Sequence, residues 1–588
     1  MGFIEPTLPK VDLEEFLRMP LRERLRIMCL KWVDEGYGAP RMIHVLYIVK
    51  LVFFYAIGGV AIATWTSHLP AFWHVSQWWD QPIVYQKVIL WTVLLELIGF
   101  AGSWGPLAGK TKPMTGGFRF WAKPNTIRLR PWKAVPFTNG DRRTWFDIVV
   151  YLALMATVFV AMVLPGVPSE SLAKALPDNI SGLVDPALFV APIILFVLIG
   201  LRDKTIFLAG RGEQYLPALI FFATLPFVNM IIAGKLLIGT VWFWAGVSKF
   251  GLHFTNVIPP MVSNSPAIPF KWLKRAHYRN FPEDLRPSHL ATFMAHGPGS
   301  IVEIAAPLAL LFSPWPWLSI AAAAIMVSFH LFIISTFPLA VPVEWNVLFA
   351  YATIFLFLGF PNQDGYAVWD MNPGWLAIVL AAALSFFPIL GNLRPDLVSF
   401  LPAMRQYAGN WASAVWTFTP GAEEKLNRVT RSSPNSADQY VAFGWDPLTA
   451  EVFTQQVTAW RAMHSQGRGL YSVLLNCLPD IDTRVVREGE MSCNTIIGFN
   501  FGDGHLHNED LIRAIQSEAQ FESGEFVIAW VESQPIHKMT QEYKVIDAAL
   551  GVIERGTWNV KDLVDEQPWL PNGPIPLNVT WQRAGVLH

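Results

Sequence analysis

Long apolar runs joined by polar connections fill the first two thirds of the chain, and the pattern stops near residue 393. The runs cover about 42–65, 88–104, 146–164, 187–201, 216–248, 300–312, 315–337, 343–360 and 375–391. A helix needs roughly 20 apolar residues to cross a bilayer, so most of these runs read as spans. The run 216–248 is longer than one span requires. It is either one tilted helix or two elements broken at Pro226, which gives nine or ten transmembrane segments. Ahead of the first span, Leu13, Phe16, Leu17, Leu21, Leu25, Met28 and Trp32 recur at helical spacing, with Arg18, Arg22, Arg24, Arg26 and Lys31 on other faces. Such an amphipathic helix either lies on an anionic leaflet or packs on the protein's own polar face. Lys50, about two turns into the first span, is placed to snorkel towards the headgroups.

Beyond residue 393 the periodicity changes. Residues 405–416 predict a short amphipathic helix on the membrane surface, and 432–438 a linker. Thr495–Asn500 and Glu525–Val531 predict strands, and Leu511–Gln520 a helix. The expected fold is therefore an all-α polytopic membrane domain of 9–10 transmembrane segments followed by a small soluble α/β or α+β domain. Four parts are expected. Residues 1–41 form an amphipathic interfacial segment, and 42–392 a helical membrane domain with a polar loop at 251–298. Residues 393–439 form an interfacial helix and linker, and 440–588 the soluble domain.

Composition sharpens this picture. Apolar residues make up 53% of the chain and charged residues only 15%, against ~25% charged in soluble domains. The net charge of −1 hides an asymmetry: residues 1–392 carry 29 basic and 22 acidic side chains, and 393–588 carry 15 and 23. The acidic C-terminal part argues against a nucleic-acid partner. Membrane lipids and cell-envelope proteins are the partners expected instead. The loop 105–145 holds nine Lys/Arg and one Asp. The positive-inside rule places it, and with it the N-terminus, on the cytoplasmic side of the plasma membrane. The smaller charge differences of loops 251–298 and 361–373 favour ten segments over nine. Cys29, Cys477 and Cys493 read as core thiols, although Cys477 and Cys493 can pair if their domain faces an oxidising space.

Charged side chains within membrane-length segments carry the candidate chemistry, because they are costly there. Lys249 ends an apolar helix after Ala245-Gly246-Val247-Ser248. An amine held in low dielectric serves as a general base or as an anchor for an acidic headgroup; a lysine at a helix end also simply snorkels. Lys235, 14 residues earlier, needs a partner, and Glu96 or Glu303 is expected, with Asn229 adding a hydrogen bond. Glu303, near Pro307, and His330 are candidates to tune Lys249 or relay protons; a lone intramembrane histidine is also a common helix-packing residue. Glu344 and Asn346 are placed to extend the same polar cavity. The loop 251–298, with His253, Asn264 and His296, is expected to line and gate a pocket. His505 and His507 in the run 502–510 are the one metal-like cluster, but no third ligand stands at a recognisable spacing, so no metal is expected.

The run Ala245–Phe250, then Glu303 with Pro307, then His330 in an apolar helix resembles the membrane domain of vitamin K-dependent gamma-carboxylase and its bacterial relatives, the horizontally transferred transmembrane domain family. That resemblance implies Lys249 as the base that deprotonates a hydroquinone, hence a quinone or hydroquinone cofactor. It also implies a lumenal catalytic side, which favours one helix over residues 216–248. Ser248 stands where the carboxylase has a second lysine, and its glutamate-recognition segment has no counterpart, so carboxylation of protein glutamate is not implied. Over most of its length the chain is more similar to an uncharacterised family of bacterial multi-pass transmembrane proteins. The stretches Lys249-Phe-Gly-Leu-His-Phe and Met261-Val-Ser-Asn-Ser-Pro carry that likeness. The functional expectation is a membrane protein that binds and modifies a lipid or quinone-like substrate in an intramembrane polar pocket. The alternative is a non-enzymatic lipid carrier or accessory subunit of an envelope assembly.

Overall fold

The computed structural model describes residues 2–99, 117–336, 343–398, 409–499, 506 and 508–585. At the N-terminus, α1 (Leu13–Arg18) starts where the Asp12 carboxylate accepts the Glu15 N–H at 2.8 Å. Pro20 separates it from α2 (Leu21–Glu35). The apolar face of α2 buries Leu21, Leu25, Met28 and Trp32. Its partner is protein: the Arg24 guanidinium donates to Gln455 at 3.1 Å, and the Trp32 ring packs on Trp460. Of the two readings open in the sequence, the structure shows the helix packed on the protein's own surface.

Among the described residues ten apolar helices follow. They are α3 (Arg41–Thr66), α4 (Pro82–Ile98), α5 (Trp145–Val163), α6 (Pro186–Arg202), α7 (Gly212–Thr224), α8 (Phe227–Ser248), α9 (His289–Phe312), α10 (Pro316–Thr336), α11 (Glu344–Gly359) and α12 (Trp375–Leu393). Six of them (α3, α5, α8, α9, α10 and α12) are long and apolar enough to cross a membrane, and α11 with the bent segment 362–370 makes a seventh broken candidate. The run 216–248 is two helices. Leu225 leaves the helical region, and Pro226, which has no N–H to continue the ladder, precedes α8. Central and peripheral helices differ in burial: 67% of the apolar window of α8 is buried, against 22% in α3 and in α12. On the outer helices Phe53, Ile48, Ile320 and Ile378 are exposed, as lipid-facing residues are.

Contacts sort the connections into two sets. Asn179 donates to Gln81, the Phe227 N–H to Ser171, Asn229 to the Asn372 carbonyl, and Asn362 to the Leu310 and Ser313 carbonyls. These bonds gather the connections near residues 81, 171, 226, 313 and 362–372 on one face. On the other face Trp32 donates to the Pro260 carbonyl, Trp121 to Ile497, Arg142 to Ala514, Lys204 to Leu129 and Trp132 to Leu397. Ion pairs lock that face to the helix ends. Thr144 and Asp147 form a capping box at the start of α5, and Asp147 also accepts from Arg202 at 2.7 Å. Arg143 pairs with Asp203 at 2.7 Å in full burial.

The C-terminal unit is built on a six-stranded antiparallel sheet, which makes it α+β. Besides the hairpin β1 (Tyr278–Asn280) and β2 (Asp284–Pro287), the strands are β3 (Ser413–Phe418), β4 (Val485–Glu488), β5 (Phe526–Val531), β6 (Thr540–Asp547), β7 (Gly551–Asn559) and β8 (Asn578–Gln582), in the order β4-β3-β5-β6-β7-β8. Helices α13 (Ser436–Phe443), α14 (Pro447–Met463), α15 (Ser465–Cys477), α16 (Gly489–Ile497) and α17 (Glu509–Ala519) pack around it.

Three sequence expectations change here. Residues 413–416 are not helix but part of β3, buried along its whole length between β4 and β5; residues 401–408 lie outside the described set. The sheet thus starts before residue 440, and the linker 432–438 runs into α13, with the Ser432 and Ser433 amides bonded to the Ile496 and Thr495 carbonyls. Thr495–Ile497 is the end of α16, not a strand. Its β-branched run suits a strand, but the Glu488 carboxylate caps the helix at the Met491 N–H and the residues bury a helical face.

Candidate functional site

Lys235 and Trp242 on α8 and Lys249 at its C-terminal cap stand seven residues apart, so they share one stripe of the helix. Gly239 and Gly246 repeat at the same interval and admit α9. A Cβ on Gly246 would sit 2.7 Å from Ile304 Cγ1, and one on Gly239 2.7 Å from Leu311 Cδ1. This close crossing brings Lys249 to Glu303.

The Lys249 ammonium and the Glu303 carboxylate form a hydrogen-bonded ion pair, with side chains 12% and 6% exposed. The Phe254 and Phe329 rings flank the ammonium, with centroids at 5.1 and 5.0 Å. Aromatic faces at this distance attract the ammonium, and their low polarity strengthens the pair. His330 lies beside this pair in a separate chain of hydrogen bonds. The Trp242 indole N–H can only donate, so His330 Nε2 accepts it, at 3.0 Å. Nδ1 then carries the proton and donates to Asn346 Oδ1 at 2.8 Å. The tautomer follows from the donors, and in this arrangement the ring is neutral.

The other expected members go elsewhere. Lys235 is fully buried but meets neither Glu96 nor Glu303. It donates to Asn362 Oδ1 at 3.0 Å and to the Tyr366 carbonyl at 2.8 Å, and among the described residues no ion pair to it is formed. Asn229 bonds the Asn372 backbone in both directions instead of Lys235. Glu96 pairs with Arg211 at 3.4 Å. Lys50 does not snorkel. A π-helical stretch, Lys50–Ile57, sets it inward onto Glu344 at 2.7 Å, and both are buried. Glu344 thus belongs to a different cluster from Lys249.

The loop 251–298 is not an open connector. It carries short helices and the β1–β2 hairpin, and it bridges α2 to the C-terminal unit. Asn264 accepts the Tyr37 N–H at 3.1 Å, and Asp34 receives Arg275 and Lys271. His253 is buried with Nδ1 2.7 Å from Ser465 Oγ; burial, with Arg468 nearby, pushes its imidazole down to about 4. His296 ends the first turns of α9 half-buried, ahead of the bend at Gly297. The three cysteines are buried and none is in a disulfide. Among the described residues no three His, Cys, Asp or Glu side chains are placed to hold a metal; His505 and His507 lie outside them.

Residues 1–580 match the family described as transmembrane protein of unknown function (DUF3556). The chain belongs to this family. The match runs through the N-terminal helices, the bundle and the sheet, so the family's unit contains all three. No curated protein and no solved structure matches the chain. Asn346, placed by the sequence beside the same polar cavity, does meet His330, whereas Trp242 and Asn362 were the least legible in the sequence. An indole or an amide in an apolar run gives no sign of which buried group it will meet.

Proposed function

We propose that the chain is a plasma-membrane protein that binds a lipid or quinone-like molecule at Lys249 and modifies it. The observation that carries this reading is the Lys249–Glu303 pair between the Phe254 and Phe329 rings, at the end of the most buried long helix. Moving the pair's proton from Lys249 to Glu303 leaves a neutral amine and a neutral acid, with no net charge created in low dielectric. That amine accepts a proton from an acidic hydroxyl such as a hydroquinone's, giving ammonium and a bound oxyanion. The aromatic walls suit a flat ring, and the likeness to the carboxylase membrane domain points to the same substrate class. His330, neutral and fixed by Trp242 and Asn346, shapes the wall rather than the pair. Ten helices cross the membrane in this reading, with the N-terminal helices, the basic loop 117–144 and the sheet all cytoplasmic.

The second reading, a carrier or an accessory subunit without chemistry, draws on the mutual pairing of Lys249 with Glu303 and of Lys50 with Glu344. Mass spectrometry of lipophilic molecules co-purified with the wild type and with Lys249→Ala separates the two. A quinone or lipid enriched in the wild type and lost in the variant supports the first reading. The same bulk phospholipid in both, at equal protein yield, supports the second.

A further inference from the structure

The 3₁₀ turn Leu252–Asn256 follows α8 almost directly, and two consecutive side chains on it, His253 and Phe254, go to different parts of the molecule. Phe254 goes to the bundle. Its ring lies over the Lys249 ammonium at 5.1 Å, and a Cβ on Gly299 would stand 3.1 Å from its Cε1. Gly299 is one helical turn before Glu303 on the same face of α9, so the ring covers the Lys249–Glu303 pair from the side of the turn. His253 goes to the C-terminal unit. Its Nδ1 is 2.7 Å from Oγ of Ser465, the first residue of α15. All three side chains are buried, with His253 and Phe254 5% exposed and Ser465 1% exposed.

The C-terminal unit holds this turn at two further points. Gly409, with φ at +89°, brings the chain that leads into β3 against the turn: a Cβ there would stand 3.0 Å from the His253 carbonyl oxygen and 2.7 Å from Val257 Cγ2. Trp411 packs on the cluster of Phe254, Val257 and Ala295. Its ring centroid stands 5.2 Å from that of His464, the residue before Ser465. The turn is not packed solid on every side. A cleft lined by Leu252, Asn410, Gln534 and Lys538 has His253 in its wall. A buried side chain in a close-packed interior shifts only where neighbouring space is vacant, so this cleft gives His253 room to leave Ser465.

We infer that the C-terminal unit sets how closely the Lys249–Glu303 pair is covered, with His253 as the positioning residue between them. The Ser465 hydroxyl holds His253, and the backbone from His253 to Phe254 carries that position to the ring over the ammonium. While the contact is made, Phe254 covers Lys249; when it is broken, the turn relaxes into the cleft and the ammonium is uncovered. The C-terminal unit is then a regulator of access to Lys249. This role rests on the reading of Lys249 as the binding residue, but the coupling itself is measured without a substrate.

The test is competitive labelling of lysines by acetic anhydride in the full-length protein in lipid nanodiscs, read peptide by peptide by mass spectrometry. Phe254→Leu removes the ring and should raise the rate at Lys249 about threefold, the weight of one lost cation–π contact. Ser465→Ala and His253→Leu should raise it as much, and Ser465→Ala should add nothing to Phe254→Leu. His253→Asn, whose amide falls where Nδ1 stood, should keep the wild-type rate. Ser465→Ala, the smallest change, keeps the test open if His253→Leu does not fold. Lys235, on the same helix but bonded to Asn362 and Tyr366, should keep its rate in every variant. A rate at Lys249 that responds to Phe254→Leu but not to Ser465→Ala overturns the inference. So does no response to Phe254→Leu, a rise at Lys235 in step with Lys249, or equal rates in His253→Asn and His253→Leu. The expected labelling in a protein that carries no co-purified quinone or lipid would strike the substrate reading and leave the coupling in place.

Discussion

At the scale of single residues, two lysines on one stripe of α8 solve the same problem differently. Lys249 has a carboxylate, whereas Lys235 donates to an amide oxygen and a carbonyl and lies over the Phe357 ring, 5.4 Å from its centroid. Removing one partner of a buried pair leaves the other unpaired, at a cost of ~3–5 kcal/mol. Lys249→Met alone should therefore lower the melting temperature sharply, and Lys249→Met with Glu303→Gln should recover most of the loss. Thermal unfolding in detergent checks this, and equal melting of the single and double variants would refute the pairing argument. His253 supplies a pH dependence. Its folded value of about 4 lies below the unfolded value of 6.5. Between these values the unfolded chain binds the extra proton, so stability is full above pH 6.5 and falls as pH drops towards 4. The contribution is about 3 kcal/mol at most. His253→Gln should flatten this part of the melting profile relative to the wild type.

At the scale of elements, the α8–α9 crossing sets the site. Gly246 is required because its missing Cβ is where Ile304 Cγ1 packs. Gly246→Val should push the helices apart and cost about 1–3 kcal/mol, as overpacking does. It should also loosen the Lys249–Glu303 pair, so bound lipophilic material falls along with stability. Adding Ile304→Ala should restore both; a double variant as impaired as the single one would show that the crossing is set elsewhere. The break at Pro226 matters equally, because it turns one long apolar run into α7 and α8.

At the scale of the molecule, α2, the loop 251–298 and the sheet unit are tied together by buried contacts. Trp32 reaches both Pro260 and Trp460. Trp32→Ala should cost roughly 3–5 kcal/mol, the range for large aromatic truncations, and should free α1 and α2 for limited proteolysis without dissolving the bundle. The two faces make a labelling prediction. Single cysteines in place of the exposed Glu14, Lys133 or Lys561 should react with an impermeant reagent from one side of sealed vesicles, and those in place of Asp178 or Asp364 from the other. The native cysteines are buried and stay silent. Reaction of Glu14 and Lys561 positions from opposite sides would break the ten-helix arrangement.

Hydrophobic runs by themselves determined that this is a multi-pass membrane protein with a sheet-bearing C-terminal part, since burial in lipid depends on local apolar length. The same residues exposed the cost of Lys235, Lys249, Glu303 and His330 in apolar surroundings, and Pro226 marked the break. Tertiary structure alone decided the partners. Glu303 goes to Lys249 and not to Lys235, Lys50 turns inward to Glu344, and Trp242 fixes His330. Those choices depend on which helices cross and how closely, and neither the partner of a glycine-lined face nor a π-helical offset is written in the apolar pattern. The strand at 413–418 and the helix at 489–497 were decided the same way, by long-range pairing that overrides local propensity.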